Sequence, residues 1–480
     1  MGSEKEIFGW EISFCLENPR KEIMERCSTI LAKKKREINV EEDKISKLPD
    51  EVLVSILSLL TMKEAARTSV LARRWLKVWT FCPSLNFAAS HTFLSIYREV
   101  RMASEEEKQG YVNWVNHVLD AYQGSTIDDF QVHFDLDTKY KCDIDRWVNF
   151  VIHKGVKRLV IDLGVHYIGG FRSNNVYLFP PSCTNSALQS TLHLLRVLKL
   201  KYVDVSGAIV EYFISACPYL EKLTIEGSTS QDLVRLKVAG GQLHRLKKVK
   251  IHMCGYLKSI CLSTTTLLSF KYRGSIIDIS YANVPNLVEV FIGGFFPEMI
   301  SYFPRLSNYV SQLETLTICV PVLQDEDDME DREPPEFPLL TKVKNLNLRV
   351  CAYNHESLLV FDSLMKAVPS LDRLVVQLTN SEETIKRRRR TQEVPESPLR
   401  CLRVAELVGF LGRTPEMEFA TYLIKNAVML EKFIIDPIPH RYIPWKFDDV
   451  RFKNIQASRK SAMRLRSKFS LGNKLVLRNF

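Results

Sequence analysis

The chain has 480 residues, 46% of them hydrophobic and 25% charged, which is ordinary globular composition with enough apolar material for two or three folded units. It excludes disorder throughout, and no run of about 18 apolar residues suggests a membrane span. The first twenty residues mix Glu, Lys, Trp and Pro without the layout of a signal peptide. Eleven cysteines, an odd number, show no C-x-x-C pair, and no N-x-[ST] sequon occurs, so a soluble intracellular protein with free thiols and no structural metal is expected. The net charge is +10, but the run Lys386 to Arg390 and residues 451–480 carry five and nine of those positive charges; without these fourteen the remainder stands at −4. This charge distribution implies no broad basic face and argues against a nucleic-acid partner.

Residues 1–42 mix a helical pattern with Lys33-Lys-Lys-Arg36 and read as an extension. Over 43–83 the period becomes helical. Leu53, Ile56, Leu57 and Leu60 fall at i, i+3, i+4 and i+7, one face of a helix that Pro49 opens, with Asp50 and Glu51 at its positive end. Thr61-Met-Lys-Glu64 is a capping-box pattern for a second helix, and Leu71, Trp75, Val78 and Trp79 suit one face of a third, with Pro83 soon after. Three short helices make a small core, so their apolar surplus calls for a partner.

The segment Asp43-Lys-Ile-Ser-Lys-Leu-Pro-Asp-Glu-Val-Leu-Val-Ser-Ile-Leu-Ser-Leu-Leu60, followed by Thr68-Ser-Val-Leu-Ala-Arg-Arg-Trp75 and Val78-Trp79, resembles an F-box. It departs from the usual pattern at Ala72 and Thr61 without losing an apolar anchor. The resemblance implies docking on a Skp-family adaptor, and through it on a cullin and a RING subunit. It assigns a first contact segment to Leu48, Pro49, Ile56, Leu57 and Leu60, and a second to Val70, Leu71, Trp75 and Trp79. Leu53 and Val78 serve equally well as internal core.

Beyond residue 84 one phrase recurs: apolar, two variable residues, apolar, one variable, apolar. Clear copies are Leu195-Leu198-Leu200, Leu220-Leu223-Ile225, Leu246-Val249-Ile251, Leu287-Val290-Ile292 and Leu313-Leu316-Ile318. Val343-Leu346-Leu348, Leu371-Leu374-Val376, Leu399-Leu402-Val404 and Leu430-Phe433-Ile435 continue it, and Val156-Leu159-Ile161 and Leu267-Phe270-Tyr272 are weaker copies. The interval matches leucine-rich repeats: the last two apolar residues, two apart, share one face of a short strand, and stacked strands build a continuous core. Prolines at 218, 285 and 369 turn the chain into the strand.

Two charged insertions interrupt the repeats, at 325–336 (acidic) and 381–397. The run Lys386, Arg387, Arg388, Arg389, Arg390 in the second has the form of a nuclear localisation signal and equally of an exposed basic loop. The segment 397–480, from Pro398-Leu-Arg-Cys-Leu-Arg-Val through Asn426-Ala-Val-Met-Leu-Glu-Lys-Phe-Ile-Ile435 to a tail helix bearing Leu465 and Phe469, resembles the FBD segment of plant F-box/FBD/LRR-repeat proteins. Its residues suit a cap over the solenoid's last core edge.

The expected fold is therefore α/β: an extension at 1–42, a three-helix F-box at 43–83, a leucine-rich-repeat solenoid at 84–396 and an FBD-like cap at 397–480. No nucleotide-binding, zinc-protease or hydrolase motif occurs, and the ten histidines are scattered, His244 and His252 merely flanking a strand phrase. No catalytic residue, cofactor, membrane or nucleic-acid partner is expected. The resemblance implies a non-catalytic receptor, in the nucleus, the cytoplasm or both, that holds a protein substrate for ubiquitination. The alternative is a receptor whose solenoid binds a small molecule that gates recruitment, although no cluster of Arg and aromatic residues stands out on the strand phrases.

Overall fold

A computed structural model of the chain describes residues 45, 47–88, 103–164, 176–181, 189–240, 244–294, 312–322, 337, 339–352, 357–380, 396–438 and 448–479. Residues 1–42 and the charged insertions at 325–336 and 381–395, with the run Lys386 to Arg390, lie outside the described residues. The chain forms two compact units, residues 1–195 and 196–480.

The first unit opens with α1 (Asp50–Leu57), α2 (Met62–Arg67) and the single turn α3 (Trp75–Val78). After α3 the chain enters β1 (Ser84–Ala88), α4 (Glu105–Ala121), β2 (Asp129–His133), α5 (Lys141–His153), β3 (Arg158–Asp162) and α6 (Gln189–Leu192). The strands β1, β2 and β3 are parallel and in register, which aligns Leu85, Phe130 and Leu159 in one buried row and Phe87, Val132 and Ile161 in the next. Helix α4 starts on a reciprocal Ser104–Glu107 capping box and packs on α5, where the Trp147 indole donates to Asn116 at 2.7 Å. Only the third of these strands had a visible phrase; β1 and β2 follow the same rule through Leu85 and Phe87, and Phe130 and Val132.

The second unit holds β4 (Val197–Lys201), α7 (Gly207–Ala216), β5 (Lys222–Glu226), β6 (Arg235–Ala239), β7 (Lys248–His252), β8 (Ser259–Ser263), β9 (Ser269–Arg273), β10 (Asp278–Asn283) and β11 (Glu289–Gly293). There follow β12 (Thr315–Val322), β13 (Asn345–Ala352), α8 (Asp362–Lys366), β14 (Arg373–Asn380), β15 (Val404–Val408), α9 (Thr414–Asn426), β16 (Lys432–Asp436), α10 (Asp448–Lys468) and β17 (Leu475–Leu477). Eleven strands form one parallel ladder in the order β4-β5-β7-β9-β11-β12-β13-β14-β15-β16-β17. Its buried rows contain Leu198, Leu223, Val249, Phe270, Val290, Leu316, Leu346 and Leu374, the phrase positions read from the sequence, each at most 1% exposed. The solenoid is thus realised as repeats that each donate one strand and bury two of its side chains.

Two details differ from the phrase as read. In β15 the buried residues are Ala405 and Leu407, in register with Leu374 and Val376, so the copy runs Leu402-Ala405-Leu407 and the reading Leu399-Leu402-Val404 is out by three residues. Small Ala405 weakened the pattern there. The other difference is a second parallel sheet, β10-β8-β6, built from Leu236 and Val238, Ile260 and Leu262, and Ile279 and Tyr281. Those three repeats close their outer side with a second alternating strand, whereas α7 does so in the repeat before them. At the C-terminal end β17 adds a three-residue edge strand to β16, a length that blunts edge pairing.

Candidate functional site

The helical module carries the candidate site. Its core is Leu53, Leu57, Ala65, Trp75, Val78 and Cys82, with Leu48, Val54 and Trp79 partly buried against it. The predicted capping box on α2 is present: the Glu64 amide donates to Thr61 Oγ1 at 3.3 Å and the Thr61 amide donates to Glu64 Oε2 at 2.9 Å. Those Thr61 donors, the amide first and then the hydroxyl, hold the Glu64 carboxyl below its ordinary pKa. Burial raises the Cys82 thiol.

Arg74, which the motif reading passed over, ties the module's two ends. Its guanidinium donates to the Leu48 carbonyl at 2.6 Å and to Asp50 Oδ1 at 2.6 and 2.9 Å. The signal was the acid at the first turn of α1 and the paired Arg73-Arg74 before Trp75. The module is also fused to the first repeat, with Lys63 Nζ above the Trp114 ring, 5.3 Å from its centroid, and the Gln123 amide donating to the Thr80 carbonyl at 3.0 Å.

The residues assigned to adaptor contact divide in two. Ile56, Leu60, Val70 and Leu71 are 40%, 41%, 60% and 66% exposed, and Pro49 is exposed. Leu57 and Trp75 lie instead inside the module's own core, at 1% and 5% exposure, and Leu48 and Trp79 are half-buried against it. The single-face reading of α1 therefore splits: Leu53 and Leu57 point inward, whereas Val52, Ile56 and Leu59, at i, i+4 and i+7, line an outward face. The expected third helix is also shorter. Residues 68–70 form a 3-10 turn in which the Thr68 hydroxyl donates to the Ala65 carbonyl at 2.6 Å. That local bond and the branched Val70 compete with helix, leaving Leu71 outside α3.

Of the twenty large hydrophobic side chains exposed among the described residues, nine fall between Ile45 and Phe81. Such density in fewer than forty residues marks an interaction surface.

The open face of the long sheet is the second surface. Lys199, Lys250 and Lys271 share one register row across β4, β7 and β9, and Lys201, His252 and Arg273 share the next. His252 stacks on Phe291 with centroids 5.6 Å apart, and the Arg349 guanidinium lies over the same ring at 5.4 Å. The register thus assembles basic rows and the Arg–aromatic cluster that linear spacing did not reveal. Among the described residues no group of three metal-ligating side chains converges, and no helix is long and apolar enough to cross a membrane.

An outward apolar helical module joined to parallel leucine-rich repeats defines an F-box protein with a repeat domain, a substrate receptor of the adaptor type. The F-box domain model matches residues 45–86, and the family model described as At1g61320/AtMIF1, LRR domain, matches residues 118–466. The chain belongs to the plant F-box/FBD/LRR-repeat family. It is 26% identical to F-box/FBD/LRR-repeat protein At5g53840 of Arabidopsis thaliana over 418 residues, which is 82% of this chain and 88% of that protein. F-box/LRR-repeat protein 13 of the same plant is 26% identical over 437 residues, covering 82% of this chain and 90% of that protein. FBD-associated F-box protein At5g38590 is 24% identical over 418 residues, covering 82% and 93%.

Proposed function

We propose that the chain is the substrate-receptor subunit of an SCF-type cullin–RING ubiquitin ligase: its F-box docks on a Skp-family adaptor and its repeats hold a protein substrate within reach of activated ubiquitin. The observation that carries this reading is the outward apolar face of the F-box, above all Ile56, Leu59, Val70 and Leu71, left in water by the module's own fold. Exposed apolar side chains of this size stay in a soluble protein where a partner covers them. The receptor needs no catalytic residue, because holding substrate and ubiquitin-charged enzyme on one scaffold supplies effective concentration.

The test uses Ile56→Asp/Leu71→Asp, which changes two exposed residues and leaves the module core intact. Truncating an interface anchor typically costs about 2 kcal/mol or more, so the double variant should lose co-purification with a Skp-family adaptor while melting like the parent. Undiminished co-purification would remove the reading.

A further inference from the structure

The F-box turns outward an apolar face that its own core does not use. Val52, Ile56 and Leu59, at 41%, 40% and 86% exposure, run along one side of α1 and its exit. At 1.5 Å of rise per residue they span about 10 Å. Between encounters with an adaptor such a face promotes self-association unless something else covers it.

A segment suited to cover it lies directly upstream. The F-box match begins at residue 45 and the repeat match at residue 118, so neither family model extends into residues 1–44. Within them Asn18-Pro19 has the form of an N-cap followed by proline at the first helical position. Ile23, Cys27, Ile30 and Leu31 follow at i, i+4, i+7 and i+8, and Lys33-Lys-Lys-Arg36 puts four cations in the last turn, where the helix dipole favours them. The spacing predicts an amphipathic helix over 19–36 whose apolar stripe is about 12 Å long, close to the length of the α1 face. A single helix of this size is marginal in water, and its branched Ile and Thr residues weaken it further, so it gains stability from an apolar surface to lie on.

Thirteen residues, 37–49, join the end of that helix to α1. Fully extended they reach about 43 Å, enough for the helix to lie along α1 in either direction. A tether this short holds it beside the face at an effective concentration on the order of 1 mM.

We propose that residues 19–36 dock as a helix on the face formed by Val52, Ile56 and Leu59 and compete with the adaptor for it, so that the receptor is self-closed until an adaptor displaces the segment. The proposal rests on the receptor reading above and adds its regulation. Both occupants bury the same side chains, so adaptor affinity falls in proportion to the fraction of receptor that is open.

The experiment uses the full chain. Ile23→Asp/Ile30→Asp breaks the apolar stripe, leaves the F-box untouched and should bind a Skp-family adaptor about tenfold more tightly than the parent, as measured by biolayer interferometry. The native Cys27, on the stripe itself, supplies a second reading. Iodoacetamide should label it about tenfold more slowly in the parent than in Ile56→Asp/Leu59→Asp, and adding adaptor to the parent should release it. Should Ile56→Asp/Leu59→Asp fail to fold, Leu59→Ser takes its place with the same expected direction. Equal, measurable adaptor affinity for the parent and Ile23→Asp/Ile30→Asp overturns the proposal, as does Cys27 labelling that is equally fast in the parent and the face variant. Labelling that slows as protein concentration rises assigns the cover to a second copy of the chain and overturns it too. The two readings fail separately: if neither the parent nor Ile23→Asp/Ile30→Asp binds adaptor, the F-box reading falls, while a Cys27 protected in the parent and released in the face variant leaves the docked segment standing.

Discussion

Trp75 shows how a motif residue changes meaning once its surroundings are known. With 5% of its surface exposed, it packs among Leu53, Leu57, Val78 and Cys82 and organises the module from within. Trp75→Ala should therefore remove about 3–5 kcal/mol of core packing, more than a module of some forty residues can spare. Limited proteolysis should then cut within residues 45–81, and adaptor binding should disappear as a consequence of unfolding. A Trp75→Ala protein that resists protease like the parent, yet loses the adaptor, would put the indole at the interface instead. Ile56 is the contrasting residue, 40% exposed on the same module, where polar replacement costs little stability. Arg74 acts between these extremes: it closes α3 onto the start of α1 through the Leu48 carbonyl and Asp50.

At the scale of elements, the C-terminal segment α9 to β17 supplies the last two strands of the ladder, β16 and β17. Helix α10 buries Ala462 and Leu465, and the Ser458 hydroxyl donates to the Phe410 carbonyl at 2.8 Å. Gly412, at φ +76°, leaves no room for a Cβ, which would sit 2.3 Å from Ser461 Oγ, so the helix approaches its turn closely. From the last strand's exit, Arg478 reaches back to the buried Glu406 at 2.7 Å, which Arg373 also contacts at 2.6 Å. Leaving such a carboxylate without one of its cations costs more than a surface pair would. Ending the chain after residue 447 should expose the β16 edge with Phe433 and Ile435 beneath it, lower Tm by more than about 5 °C and promote self-association. A truncated chain that stays monodisperse by gel filtration with unchanged Tm would show that α10 and β17 do not serve as a cap.

For the whole molecule, cysteines report on both units at once. Cys82 in the first unit and Cys217 and Cys254 in the second are buried, whereas Cys142 and Cys401 are exposed. Burial pushes the Cys217 thiol up to about 12, so at pH 8 its reactive thiolate is almost absent while the chain is folded. Iodoacetamide should label Cys142 and Cys401 before the three buried thiols, which react only as their own unit opens, as followed by peptide mass spectrometry. Comparable labelling rates for Cys217 and Cys401 in the native protein would contradict this packing.

What could be read along the chain was whatever depends on neighbours in sequence. The phrase Leu-x-x-Leu-x-Ile placed the strands of the long ladder from β4 to β14 because alternation is a property of five consecutive residues, and the Thr61–Glu64 cap was legible because both partners lie within one turn. The helical module was recognisable for the same reason. Which of its apolar residues face inward was not, since Leu57 and Ile56 are chemically alike and only packing against Trp75 and Cys82 chooses between them. The second sheet escaped because Leu236 and Val238 satisfy the same phrase as the main ladder, and partner strands, not spacing, decide which sheet a strand joins. The basic row escaped for the strongest reason: Lys199, Lys250 and Lys271 are up to 72 positions apart, dispersed in a chain body that is mildly acidic, until parallel register sets them about 5–14 Å from one another. The sequence by itself determined that this is an F-box joined to leucine-rich repeats, because periodicity and short motifs are local. Only the tertiary structure decided which surfaces the protein offers, because a surface is made of residues that the fold, and not the chain, brings side by side.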